Sequence, residues 1–102
     1  MKEQMETAQA TLGRLLEESE LTSGMSVRVR GDHLFLGRSE ANPAGARPEI
    51  VDRIRLTRLS GSTYGVSVRR HTGRWERTPF TGSMKEMVHV MRTYMQHLIA
   101  PW

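Results

Sequence analysis

The chain has 102 residues, 37% of them hydrophobic, no cysteine, and a formal net charge of +4 with a sequence pI near 10.3. A chain of this length predicts one domain spanning 1–102, and so lean an apolar content at this size favours completing burial in a homodimer. Disulfides, thiolate metal sites and a cysteine nucleophile are excluded, and the lack of an apolar signal core or of a run of about 18 apolar residues predicts a soluble, cytoplasmic protein without a membrane segment.

Charge is unevenly placed. Residues 1–20 carry two basic against five acidic side chains, net −3, which leaves +7 for residues 21–102. Among the 15 basic residues only Lys2 and Lys85 are lysine. Arginine suits planar, bidentate recognition of phosphate or carboxylate, and a GC-rich coding bias would produce the same excess.

Residues 1–20 are expected to form the first helix, because Met5, Ala8, Leu12 and Leu15 follow helical spacing and Leu16 widens the stripe. The stripe is thin and Gly13 interrupts it, so this helix needs a packing partner. Met25 to Arg38 reads as a β-hairpin. Val27 and Val29 alternate with Arg28 and Arg30, and Gly31-Asp32 suits a two-residue II′ turn, in which glycine takes the positive φ. That register sets Val29 opposite Leu34 and Val27 opposite Leu36 on one face. On the other it sets Arg28 opposite Phe35 and Arg30 opposite His33. Phe35 is then either packed under the first helix or exposed beside arginines. The Arg30-Gly31-Asp32 tripeptide also spells an adhesion motif, which turn chemistry explains without an extracellular role.

Residues 39–48, rich in Ala, Pro and Gly, are expected to be a mobile, exposed loop. Glu49 to Leu59 reads as a strand with Ile54 and Leu56 on one face and Arg53, Arg55 and Thr57 on the other. The adjacent Ile50 and Val51 predict a face switch at a bulge near Asp52. After the turn Ser60-Gly61-Ser62, Tyr64, Val66 and Val68 alternate with Gly65, Ser67 and Arg69. Trp75 to Phe80 closes the sheet, with Pro79 marking an edge or an end. A connecting loop of two or four residues sets Arg69 opposite Glu76, one of three turns Trp75 to the other face, and both registers stay open.

Ser83-Met84-Lys85-Glu86 has the spacing of a capping box and opens a helix over 83–99. Met84, Met87, Val88, Met91, Tyr94, Met95 and Leu98 share its apolar face. The predicted fold is α+β: an N-terminal helix, an antiparallel sheet of four to five strands over 25–80 in two hairpin-like units, and a C-terminal amphipathic helix on one sheet face. This element order, with a basic sheet, resembles that of small dimeric single-strand binders such as transcriptional coactivators and Whirly-type domains. The likeness is one of architecture, and it carries no site residue across.

For chemistry the chain offers little. No serine sits in a nucleophile elbow, no glycine run cradles a phosphate, and acidic residues after position 20 are scattered. His89 has only Glu86 three residues away and His97 has no carboxylate at such spacing, too few ligands for a metal site. The expectation is a non-enzymatic protein with neither cofactor nor metal. Its lead reading is single-stranded nucleic-acid binding through a sheet face carrying Arg28, Arg30, Phe35, Arg53, Arg55 and Arg69, where guanidinium groups meet phosphates and an aromatic ring stacks a base. Solvated polar residues are the ordinary content of such a face. The alternative is a homodimer or protein adaptor using Met87, Met91, Tyr94, Met95 and Trp102, although core packing is the commoner fate of a methionine stripe.

Overall fold

A computed structural model describes residues 2–40, 49–70 and 72–99. Helix α1 (Lys2–Glu17) is followed by strands β1 (Ser26–Arg30), β2 (His33–Glu40), β3 (Glu49–Ser60), β4 (Thr63–Arg69) and β5 (Trp75–Gly82). Helices α2 (Met84–Tyr94) and α3 (Gln96–Ile99) complete the chain. The strands form one open antiparallel sheet in the order β1-β2-β3-β4-β5.

Period-2 alternation in the strands separates the sheet's two faces. Leu34, Leu36, Ile54, Leu56, Tyr64 and Val66 point to the helices and are buried there with Leu12 and Leu16 of α1 and Met87, Val88 and Met91 of α2. Each such side chain contributes roughly 1.5–3 kcal/mol of transfer free energy. Helix α1 packs beside β1, where Gln9 Nε2 donates to the Val27 carbonyl at 2.8 Å. Helix α2 lies on β4 and β5, and α3 on β3. Arg92 ties the two long helices together by donating to the Leu15 carbonyl and, at 3.0 Å, to Thr22 Oγ1.

The turn between β1 and β2 is the expected one: Gly31 has φ +59, and Asp32 stays at negative φ. Two of the three departures from strict pairing shape the sheet's interior, the third lying beside the β3–β4 turn between Arg58 and Ser60. Pairing shifts between Leu36 and Gly37, so that Leu36 faces Ile54 while Gly37 faces Asp52. Arg53 is therefore the extra residue of a bulge. Only glycine fits at 37, because a Cβ there would lie 2.7 Å from the Val51 carbonyl oxygen. The second departure, between Gly65 and Ser67, accommodates Pro79 on the edge strand β5, where a residue without an N–H does least harm. Ser39 and Glu40, expected in the loop, instead extend β2 opposite Ile50 and Glu49. The remainder of that loop, 41–48, lies outside the described residues.

The C-terminal helix is interrupted at Met95 (φ −123, ψ 25), which separates α2 from α3; no residue from 92 to 98 accounts for the break. Its start is as expected. Ser83 Oγ accepts from the Glu86 N–H at 3.1 Å, and Glu86 Oε1 accepts from the Ser83 N–H at 2.9 Å. Ser83→Ala is expected to cost about 1 kcal/mol in urea unfolding. The same box pulls Glu86 below the usual carboxylate range, first through the Ser83 backbone hydrogen bond and then through the hydroxyl. With the folded pKa depressed, the contribution is present above the unfolded carboxylate pKa and fades as pH falls through the folded one. The difference between wild type and Glu86→Gln should therefore shrink in acid; a constant difference would refute the coupling.

Candidate nucleic-acid interface

The helix-free face of the sheet collects most of the cationic side chains that alternation assigned to it. Cross-strand pairs run Arg28–Phe35, Phe35–Arg55, Arg55–Ser67 and Ser67–Arg77 in one row. A second row runs Arg30–His33, His33–Thr57, Thr57–Gly65 and Gly65–Thr81, and a third pairs Arg69 with Trp75. Even pairing keeps every member of a row on one side of the sheet.

Phe35 is not under α1; it stands among arginines and aromatics. Its ring centroid lies 6.0 Å from that of His33 and 5.7 Å from that of Trp75, edge-on to the indole. The Arg28 guanidinium carbon lies 4.8 Å from the Phe35 centroid, and that of Arg55 5.0 Å from the Trp75 centroid. Guanidinium groups set over aromatic rings in this way hold one another in place. Trp75 begins an edge strand, yet its ring reaches Phe35 on β2 across the two strands between them. Ser67, paired between Arg55 and Arg77, is only 4% exposed on this otherwise open face.

Arg28 is ion-paired with Asp52. Arg30, Arg55, Arg69 and Arg77 have no carboxylate partner among the described residues. The resulting positive field reaches His33, whose pKa is lowered first by burial and then by Arg55, with Asp32 opposing. His33 is thus held toward its neutral form, within 2.9 Å of Thr57 Oγ1, and offers hydrogen bonds rather than charge.

Arg53 is the exception. The bulge turns it to the helix side, where it is 5% exposed and Nη1 donates to the Leu98 carbonyl at 3.0 Å. It is withdrawn from the open face, and the expectation that it belonged there is corrected. Trp75 and Arg77 take their places on that face instead. The β4–β5 connection has the odd parity: the Arg70 N–H donates to the Arg74 carbonyl at 2.8 Å, and Gly73 takes φ +88. Glycine ending a three-residue hairpin loop was the available signal for this register.

The second set of candidate residues is dispersed. Met87, Met91 and Met95 are 2%, 0% and 5% exposed, inside the core, which corrects their assignment to a partner surface. Tyr94 is 64% exposed and stacked on Phe80; Trp102 lies outside the described residues. Among the described residues no three histidine or acidic side chains gather closely enough to hold a metal ion, and no helix is long and apolar enough to cross a membrane. Comparison with family models, curated proteins and solved structures finds no match to this chain.

Proposed function

We propose that the protein is a non-enzymatic, cytoplasmic binding module for single-stranded nucleic acid, and that the open sheet face is its binding surface. The observation that carries this reading is the union, on one face, of four arginines lacking carboxylate partners among the described residues with the packed aromatic group His33, Phe35 and Trp75. Phosphates are neutralised by the first set, and unstacked bases find planar surfaces on the second and on the Arg55 guanidinium plane. A duplex hides its base faces, so this surface favours single strands.

The test is fluorescence anisotropy with labelled single- and double-stranded oligonucleotides of about 20 nucleotides. Four phosphate contacts on a single strand predict that affinity falls about fiftyfold between about 50 and about 200 mM salt. The double variant Arg55→Glu with Arg77→Glu should bind neither form. Absence of wild-type binding at the lower salt would end the reading.

A protein-binding or homodimeric role has one observation of its own. The exposed Tyr94–Phe80 stack borders a groove lined by Phe80, Met87 and Val90. The like-charged open face repels a second copy of itself, so self-association would use this side instead. Sedimentation of wild type and Tyr94→Glu separates the two readings, since only a dimer built here dissociates in the variant.

A further inference from the structure

Resting on the nucleic-acid reading, we infer that the depression over Gly65 seats one base of the bound strand, turned out of its stack. Gly65 lies within β4 and has no positive φ that would call for glycine. Nor does crowding require it: a Cβ there would make only ordinary contact, 3.4 Å or more, with the Leu59 side chain. Glycine inside a strand marks a bulge or close approach by something else; Gly65 adjoins the pairing shift toward Ser67, and it also leaves this face of β4 without a side chain. Here the missing side chain leaves a hollow of about 190 Å³ in the open face, with Arg55 and Arg77 as charged walls and the exposed Leu59 as an apolar one.

The rim has the chemistry of a base site. His33, Thr57, Ser67 and Thr81 supply a neutral imidazole and three hydroxyls, each able to donate or accept. That suits the mixed donor and acceptor edge of a heterocycle better than the acceptor-only surface of a lone phosphate. Arg55 Nε is buried without a hydrogen-bond partner among the described residues, a donor the fold leaves unspent. The same Arg55 lies against Trp75, so a base in the hollow adjoins the aromatic group on which its neighbour stacks, while Arg77 faces the connecting phosphate.

Gly65→Val fills the hollow without changing charge, and valine is at home in a strand. In full-length protein, with labelled single-stranded oligonucleotides, it should weaken binding about tenfold or more, the usual value of one stacked base. The salt dependence should stay unchanged, because no phosphate contact is lost. An oligonucleotide of abasic sites should bind wild type and Gly65→Val alike. If thermal melting shows that Gly65→Val does not fold, Thr81→Trp closes the hollow from its exposed rim and should act the same way. Wild-type affinity in the filled variant would overturn the base site while leaving the binding face standing. An equal loss on the abasic oligonucleotide would mean that the hollow takes phosphate. Absence of binding by wild type itself would remove both.

Discussion

Arg38→Met is expected to lower the stability by about 3 kcal/mol, a large share of what a small domain possesses. Arg38 is buried on the helix side of β2, where Nε donates to the Ile99 carbonyl at the end of α3 and Nη2 to the Leu21 carbonyl in the turns after α1. Helix ends leave carbonyls without intrahelical partners, and this one guanidinium joins two separate pieces of chain to the sheet. Methionine fills similar volume but strands both acceptors, at roughly 1–3 kcal/mol each. Part of that is offset, because burial and the neighbouring Arg53 already hold the Arg38 pKa below its ordinary value, and methionine relieves that strain on the charge. Urea unfolding measures the balance. Arg38→Lys, which keeps the charge but not the fork, should recover only part of the loss. A methionine variant as stable as wild type would show that the two carbonyls find other donors.

Trp75→Ala is expected to weaken single-strand binding by about 1–3 kcal/mol, roughly five- to 150-fold. The indole is half-buried against Phe35 and beneath the Arg55 guanidinium, so truncation removes a stacking plane and also frees Arg55 to wander. The stability cost should stay near the value of one aromatic pair, about 0.5–1.5 kcal/mol. Charge is untouched, so the slope of affinity against salt should match wild type. Trp75→Phe should restore most of the binding. If Trp75→Ala binds as tightly as wild type, recognition rests on charge alone.

Much of this was legible in the residues because the alternation is clean where both faces have a clear environment. Val27, Val29, Leu34 and Leu36 against Arg28, Arg30 and Phe35 specify the first hairpin, and Gly31 supplies its turn. The capping box was equally readable, since Ser83 and Glu86 satisfy each other locally. Arg53 was misplaced for a definite reason. The bulge was foreseeable from Ile50 and Val51, but which residue it absorbs depends on how closely Gly37 lets β3 approach, a fact about two strands at once. Trp75 hung on loop parity, which Gly73 alone signalled, and Arg77 went with it. The hollow over Gly65 had one sign, the glycine itself within a strand, while its walls come from neighbours on β2, β3 and β5 that become adjacent only in the folded sheet.

The strictly sequential strand order also bears on how the molecule comes into being. Every strand pairs with its neighbour in the chain, so the sheet can zip from one hairpin to the next with short loops to close, which favours rapid folding. The helical layer has the opposite character: Arg92 must find Leu15 across 77 positions. During synthesis, five strands emerge before α2 does, and Leu34, Leu36, Ile54 and Leu56 have only α1 for cover until α2 follows. A nascent chain halted near Gly82 would present a sticky half-built sheet. Docking of the methionine-rich helix then covers these side chains.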